Sequence, residues 1–255
     1  MNNSHNRRRF VKQALTLSVL PILPAIAKAS VKTVLENVDP GYKFLFQGDS
    51  ITDGGRGRNL DWNHVLGQDY VYLIASRLWY DHVKSDFHFF NRGIGGNKIT
   101  DLASRWQQDT LDIKPDLLSI MVGVNDVSAF AKGDNNFSVE NYKQRYRALL
   151  DDTIAKLPHI QIVICEPFYL VVNSKKRENF DVYAAEFDKY RQAARQLSID
   201  YNTIFVPFQD VFNRALKKAP AEYWIWDGVH PMPAGHELMA REWIHHVEKK
   251  LKFIR

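Results

Sequence analysis

The stretch FQGDSITDGGR, from Phe46 to Arg56, continues a short apolar run and turns it polar at Gly48, Asp49 and Ser50. A glycine at the end of a strand lets the backbone turn where a Cβ atom would clash. A serine placed after it can open a short helix and point its hydroxyl group beyond the strand. Serine and aspartate are also ordinary helix N-caps, so this stretch alone predicts a strand, a turn and a helix start.

Five apolar runs alternate with longer amphipathic segments, and the first of these runs is the one that ends at Gly48. The runs are rich in Ile, Val and Phe and nearly continuous, which is typical of strands covered on both faces. They predict strands at 43–47, 86–91, 116–122, 160–166 and 202–208. Helical spacing of apolar residues predicts helices at 69–81, 100–112, 138–157, 181–197 and 233–251. The alternation predicts an α/β fold, a three-layer α/β/α sandwich around a central, mostly parallel five-stranded sheet.

The first 29 residues have the order of a secretory signal. Arg7–Arg9 precede a short apolar run, Ala14–Ile26, and the small-residue site Ala27–Ala29. This order predicts a cleaved signal peptide over 1–29 and a mature domain over 30–255. The segment Arg7–Lys12 also resembles the twin-arginine motif R-R-x-F-x-K of bacterial export. We expect a periplasmic or extracellular protein without stable membrane insertion after cleavage; an uncleaved anchor and a disordered basic tail are the alternatives.

The net charge of +5 comes from that segment. It holds five of the 34 basic residues and none of the 29 acidic ones, so the rest of the chain carries 29 of each sign. This balance gives no indication of a nucleic-acid partner. The remaining length suits one compact domain with a sizeable core.

The single cysteine, Cys165, lies inside the apolar run IQIVIC, which predicts a buried thiol and excludes an intramolecular disulfide. A catalytic cysteine is not expected there, because reactive thiols need a polar and partly exposed setting. His236-Glu237 lacks the second histidine of an H-E-x-x-H zinc motif, and His245-His246 lie near a polar helix end. We predict packing or surface roles for these histidines, and neither a metal nor a cofactor.

Polar segments follow the next two strands and precede the last helix. Asn91–Asn97 (NRGIGGN) follows the second strand, Gly123–Asp126 (GVND) the third, and Asp227–Pro231 (DGVHP) precedes the last helix. The glycine spacing of the first segment matches neither a phosphate loop nor the dinucleotide fingerprint. It leaves a tight turn whose backbone N–H groups could bind an oxyanion.

Each segment also has an ordinary structural explanation. Asn125 could be a turn former, and an Asp-x-x-His pair such as Asp227 and His230 is commonly incidental. A carboxylate three residues before a histidine can nevertheless accept the imidazole Nδ1–H and leave Nε2 free as a base. Ligands in parallel α/β folds bind beyond the carboxyl ends of the strands, so the segments are expected to meet there. With Ser50 they would supply a nucleophile, a base, its orienting carboxylate and oxyanion donors, as acyl transfer requires.

The four segments, in this order, resemble the SGNH or GDSL-type hydrolase superfamily over about residues 43–250. Ser50 in GDSIT, Gly96 in NRGIGG and Asn125 in GVND match the first three blocks, and Asp227 and His230 in DGVHP match the last. The resemblance implies a flavodoxin-like α/β/α sandwich and esterase chemistry without a metal. It implies a catalytic triad of Ser50, Asp227 and His230, and an oxyanion hole of Ser50, Gly96 and Asn125.

The phrases GDSITDGGR, SRW, GVNDV, PFY and WDGVHP are most similar to bacterial acetylxylan esterases of this superfamily. That similarity implies a secreted enzyme that removes acetyl groups from an acetylated carbohydrate. The alternatives are a lysophospholipase or broad short-chain esterase, an acetyl transferase, and a non-catalytic glycan-binding protein on the same fold. The segment 58–68 departs from the pattern and is expected at the rim of the site. The sequence leaves the oligomeric state open, a homo-oligomer included.

Six residues near the blocks are candidates for the substrate pocket: Asp49, Arg56, Arg58, Phe168, Tyr169 and Trp226. Trp226 could close the acyl pocket because it precedes Asp227. Arg56 and Arg58 could orient a substrate, or could pair with the neighbouring carboxylates of Asp53 and Asp61. The other tryptophans are predicted to lie in the core: Trp62, Trp79, Trp106, Trp224 and Trp243.

Overall fold

The computed structural model describes residues 38, 40–59, 61, 64–172 and 180–255, with the side chains of all but 180–182. These residues belong to one compact unit. The predicted signal peptide, residues 1–29, and Trp62 lie outside the described residues. Within them, no helix combines the length and the apolar character that a membrane crossing requires.

The core of the fold is one parallel sheet. Its strands are β1 (Lys43–Gly48), β2 (His88–Asn91), β3 (Leu117–Met121), β4 (Gln161–Cys165) and β5 (Ile204–Val206). The spatial order is β2-β1-β3-β4-β5, and every neighbouring pair is parallel. All five predicted strands are confirmed. The last is shorter than predicted, because Pro207 precedes a helix that begins at Phe208.

Nine α-helices connect or follow the strands in the described chain. They are α1 (Ser50–Asp53), α2 (Tyr70–Asp81), α3 (Ile99–Ser104), α4 (Val124–Ala131), α5 (Val139–Lys156), α6 (Phe180–Asp200), α7 (Phe208–Ala215), α8 (Ala221–Trp224) and α9 (Pro233–Val247). Helices α2, α7 and α8 each contact α9, and α3, α4, α5 and α6 form a second group. The predicted α/β fold with its central sheet is confirmed.

The helix predicted at 100–112 is two elements. α3 ends at Ser104, and a π-helical turn follows at Gln107–Leu111. A wider turn of this kind interrupts the ordinary hydrogen-bond register, which apolar spacing alone does not report. The apolar spacing also does not predict helices α4 and α7. Helix α4 begins inside the GVND segment, for which the sequence allows a turn.

Buried aromatic side chains join α9 to the sheet. Trp243 is fully buried, and its Nε1–H donates to Ser119 Oγ at 3.0 Å. Its ring lies 5.3 Å from the ring of Phe46, measured between centroids. The core prediction is confirmed for Trp106 and Trp243, while Trp79 and Trp224 are partly buried against the core. Cys165 is buried as predicted, and this burial raises the pKa of its thiol to about 12.

Gly48 allows the end of β1 to approach its neighbours. A Cβ atom there would lie 2.3 Å from Thr52 Oγ1 and 2.6 Å from the carbonyl oxygen of Met121. Such distances are far below van der Waals contact, so a side chain would push β3 away from β1. The next residue, Asp49, caps α1 by accepting the backbone N–H of Ile51 at 3.0 Å. Ser50 therefore becomes the first helical residue immediately after the strand.

Candidate active site

The four polar segments meet at the carboxyl edge of the sheet. β1 lies between β2 and β3, so the loops that follow these strands are neighbours. Ser50 opens α1 after β1, Gly96 lies in the loop after β2, and Asn125 lies in the first turn of α4 after β3. Asp227 and His230 lie in the loop between α8 and α9, and α9 packs against α2 and α7.

Ser50, His230 and Asp227 form a continuous hydrogen-bonded chain. Ser50 Oγ lies 2.8 Å from His230 Nε2, and His230 Nδ1 lies 2.7 Å from Asp227 Oδ2. Asp227 Oδ1 accepts the backbone N–H of His230 at 2.9 Å and that of Val229 at 3.1 Å. Burial alone would raise the pKa of Asp227, but these hydrogen bonds from His230 and Val229 hold it below its ordinary value. The carboxylate thus stays charged and fixes the imidazole.

A single antiparallel bridge closes the loop that carries Asp227 and His230. The backbone N–H of Trp226 donates to the carbonyl of His230 at 3.0 Å, and Ile225 pairs with Pro231. The centroid of the Trp226 ring lies 5.9 Å from that of the His230 ring, so the two side chains are neighbours. Trp226 is 49% exposed.

The loop after β2 lies against Ser50. The backbone N–H of Ile94 donates to the carbonyl of Gly48 at 3.1 Å. A Cβ atom on Gly95 would be 3.8 Å from Ser50 Cβ. Gly96 has a φ of +80°, a conformation that favours glycine. Asn125 contacts this loop, because its Nδ2 donates to the Asn97 carbonyl at 3.1 Å. The structure thus brings the candidate nucleophile, base, orienting carboxylate and oxyanion donors together.

Comparison with known proteins decides the family. The model described as the GDSL-like Lipase/Acylhydrolase family matches residues 46–238 of this chain. The chain belongs to this family. The resemblance that the sequence blocks carry is therefore confirmed, and the protein is a carboxylic ester hydrolase.

This hydrolase has relatives of similar length. It is 34% identical to the acetylxylan esterase of Geobacillus stearothermophilus over 216 residues, which are 82% of this chain and 95% of that protein. A crystal structure of that esterase covers 84% of the hydrolase and 97% of itself, with a TM-score of 0.73 and 31% identity. A structure described as a GDSL-like lipase, from Parabacteroides merdae, covers 84% and 99% with a TM-score of 0.79 and 43% identity.

Three of the residues predicted near the substrate lie inside the hydrolase. Asp49 is fully buried as the cap of α1, and Phe168 is fully buried with its ring 4.5 Å from that of Phe212. Tyr169 is nearly buried behind the catalytic loop, where a Cβ atom on Gly228 would lie 2.8 Å from its ring. Their place in the substrate pocket stays a prediction, since proximity in sequence to the blocks does not tell which way a side chain points.

Arg56 and Arg58 support the loop after β2. Arg56 Nε donates to the Gly93 carbonyl at 2.8 Å, and its pKa is lowered to about 10, mainly by burial. Arg58 Nη2 pairs with Asp53 Oδ2 at 2.6 Å, as one of the two alternatives predicted. Arg56 is nearly buried and bonded to backbone carbonyls, while Arg58 keeps 58% of its side chain exposed.

Asp53 also supports the site, although the sequence predicts it only as an ion-pair partner for Arg56 or Arg58. Its Oδ2 accepts the backbone N–H of Gly95 at 2.9 Å as well as the guanidinium of Arg58. Burial would raise the pKa of Asp53, but the hydrogen bonds from Arg58 and Gly95 outweigh it and lower the pKa. Asp53 lies three residues after Ser50 and therefore on the same side of α1, and this spacing could have indicated that its side chain lies near the site.

The histidines outside the triad behave as packing residues where they are buried. His236 Nδ1 accepts the backbone N–H of Tyr70 at 3.2 Å and joins α9 to the start of α2. Burial lowers the pKa of His236 to about 4, so it remains neutral near pH 7. No group of three or more His, Cys, Asp or Glu side chains is arranged to hold a metal in the described part of the chain.

Asp126 is a second buried carboxyl group behind the site. It follows Asn125 in α4 and accepts the backbone N–H of Ile99 at 3.1 Å, which joins α4 to the start of α3. Burial raises the pKa of Asp126 to about 7 and that of Asp49 to about 6. Both groups therefore bind a proton in the folded state at a pH where an unfolded chain has released it.

This raised pKa predicts how stability depends on pH. Unfolding releases the Asp126 proton between about pH 4 and 7, so the free energy of unfolding falls as pH rises through that interval. We expect Asp126→Asn to make the decrease in the free energy of unfolding between pH 4.5 and 7.5 smaller by roughly 1–3 kcal/mol. Urea unfolding at half-unit pH steps measures this decrease. Asp81→Asn, which changes an exposed carboxylate, is the control and should leave the slope unchanged. Parallel curves for wild type and Asp126→Asn would contradict the assignment.

Proposed function

We propose that this hydrolase is an exported serine esterase that removes acetyl groups from a carbohydrate of the acetylxylan type. The observation that carries the proposal is the hydrogen-bonded chain from Ser50 Oγ through His230 to Asp227, with distances of 2.8 and 2.7 Å. The acetylxylan esterase relative supports the choice of an acetylated sugar as substrate.

The first half of the proposed reaction forms an acetyl-enzyme. His230 Nε2 accepts the proton of Ser50 Oγ as the oxygen attacks the acetyl carbonyl carbon. Asp227 stabilises the imidazolium that results, because its carboxylate remains charged and directly bonded to Nδ1. The tetrahedral intermediate collapses when His230 returns the proton to the departing sugar oxygen.

Three donors are proposed to stabilise the negative charge on the carbonyl oxygen. They are the backbone N–H groups of Ser50 and Gly96 and the side-chain amide of Asn125. In a partly water-excluded site such donors act strongly, because they are already oriented before the charge develops. Water then attacks the acetyl-enzyme, with His230 as base, and acetate leaves through a second tetrahedral intermediate.

Trp226 is the candidate contact for the substrate. Its ring is a neighbour of the His230 ring, with 5.9 Å between the centroids, and about half of the residue is exposed. An exposed indole ring offers an apolar face to a sugar ring or to the acyl group, while its edge remains in water. We expect a small acyl group to suit such a site better than a long chain, since the neighbouring aromatic residues Phe168 and Tyr169 are packed in the interior.

Replacing the nucleophile tests the reaction. Ser50→Ala is expected to lose on the order of 10⁶-fold in kcat, as in other serine hydrolases. Asn125→Ala should lose about 10²–10³-fold, the usual cost of one oxyanion donor. The measurement is acetate release from acetylated xylooligosaccharides, with circular dichroism as the folding control. A folded Ser50→Ala variant with wild-type turnover would refute the mechanism, and rapid hydrolysis of simple acetates without release from the glycan would favour the broad esterase.

Acyl chain length tests the specificity. We expect kcat/KM on 4-nitrophenyl esters to fall gradually from acetate to octanoate, since each methylene that finds no room loses about 0.8 kcal/mol of burial. Trp226→Ala should flatten the series by opening space beside His230, with some loss on acetate. Tyr80→Ala, which removes an exposed aromatic at the far end of α2, is the matched control. A preference for octanoate over acetate would exclude the deacetylase and favour a lipid esterase.

Export is proposed from the composition of residues 1–29, which lie outside the described structure. Expressed with its full N-terminus in a bacterial host, the protein should be recovered outside the cytoplasm with a new terminus near Ser30. N-terminal sequencing of the purified protein checks this. Replacement of Arg7 and Arg8 by lysine should block export if the twin-arginine route is used. An intact Met1 on the recovered protein would contradict the cleavage.

A further inference from the structure

Beneath the loop after β2 lies a polar cluster that the proposed mechanism does not use. Its members are Gln47, Asn97, Arg105 and Asp109, hereafter the Arg105 cluster. Arg105 stands between α3 and the π-helical turn, and only 14% of its side chain is exposed. A guanidinium with this little access to water is costly unless its donors are satisfied.

Arg105 joins three separate parts of the chain. Its Nε donates to Asn97 Oδ1 at 3.0 Å, and its Nη1 donates to Gln47 Oε1 at 2.8 Å and to Asp109 Oδ2 at 2.9 Å. Gln47 is the residue before Gly48 in β1, and its Nε2 donates to Thr110 Oγ1 at 2.8 Å. The planar guanidinium therefore ties the loop after β2 to the end of β1 and to the π-helical turn.

The cluster reaches Asn125 through the backbone carbonyl of Asn97, and Arg105 Nη2 also donates to the Gly48 carbonyl at 3.5 Å. Asn125 Nδ2 donates to the backbone carbonyl of Asn97 at 3.1 Å, so one amide hydrogen of Asn125 is already engaged. The two hydrogens of a planar NH₂ group lie about 120° apart, so holding one fixes the direction of the other. A backbone carbonyl can accept a hydrogen bond but cannot donate one, so the Asn97 carbonyl favours the orientation in which the NH₂ group of Asn125 faces it. The flipped amide would lose this hydrogen bond and would turn Oδ1 toward the negative charge of the intermediate.

We propose that Arg105 is a positioning residue for the oxyanion hole: by holding Asn97, it keeps the Asn97 carbonyl where it orients the amide of Asn125. The inference rests on the proposed role of Asn125 and extends it to a side chain that does not touch the substrate. Asp109 lies in the π-helical turn, four residues after Arg105 and within ion-pair distance of the guanidinium. A π-turn near a functional residue is a common arrangement.

The test begins with Arg105→Met and Arg105→Lys, assayed on 4-nitrophenyl acetate. Both should lower kcat about tenfold with KM nearly unchanged, less than the cost of deleting a donor, because the Asn125 amide is loosened and not removed. Lysine keeps the charge, but its donors all lie on one nitrogen and do not reproduce the separate Nε and Nη1 donors of the planar guanidinium. Full activity of Arg105→Lys would show that the charge alone matters and would overturn the proposal, as would a change confined to KM.

A double-mutant cycle separates positioning from a general loss of structure. If Arg105 acts through Asn125, Arg105→Met should change kcat by less than about twofold when Asn125 is already alanine. The free energy of unfolding should fall by a similar amount in both backgrounds. An equal loss of kcat in both backgrounds would overturn the proposal. Asn97→Ala, a milder break in the same link, repeats the cycle if Arg105→Met does not fold.

Arg147→Met is the control for removing an ion-paired arginine. Arg147 pairs with Asp200 at the end of α6. Asp200 lies just before β5 and therefore near the amino ends of the strands, whereas the site lies at their carboxyl ends. The kcat of Arg147→Met should equal that of wild type. The assay needs only ester hydrolysis, so failure of the carbohydrate specificity would leave this test intact. Ser50→Ala, measured in parallel, reports separately on the serine mechanism.

Discussion

Gly48 has no side chain, and the carboxyl edge of the sheet is built around that fact. Any Cβ atom there would enter the space held by Thr52 and by the carbonyl of Met121 at the end of β3. Because β1 and β3 can therefore pair to their last residues, Ser50 leaves one strand beside the loop that leaves the other. This contact places Ser50 and Asn125 at the ends of neighbouring strands, although 75 residues separate them in sequence.

Around that edge, three carboxyl groups hold neighbouring N–H groups in place. Asp53 holds the N–H of Gly95, Asp126 holds the N–H of Ile99, and Asp227 holds the imidazole of His230. These carboxyl groups differ in their pKa values. Hydrogen-bond donors lower the pKa of Asp53 and of Asp227, whereas burial raises the pKa of Asp126. The first two are therefore suited to stabilise positive charge, and the last costs stability near neutral pH.

The loop after β2 shows how much of an active site is support. Its glycines allow close approach to Ser50, but glycine also leaves the backbone free to move. Three arginines compensate for this freedom: Arg56 through Gly93, Arg58 through Asp53, and Arg105 through Asn97. A loop held at three points loses less entropy when substrate binds, so the proposed oxyanion donors would be oriented before the reaction.

The sequence by itself determined the strands, because continuous apolar runs such as those of β3 and β4 are diagnostic of buried parallel strands. It also determined the blocks that carry Ser50, Gly96 and Asn125, since each lies at a strand end where topology must bring them together. Only the tertiary structure decided which way the flanking side chains point. Phe168 and Asp49 turn inward, Trp226 turns outward, and Arg105 reaches Gln47 across 58 residues. Such choices depend on packing between segments distant in sequence, and local periodicity carries no record of them.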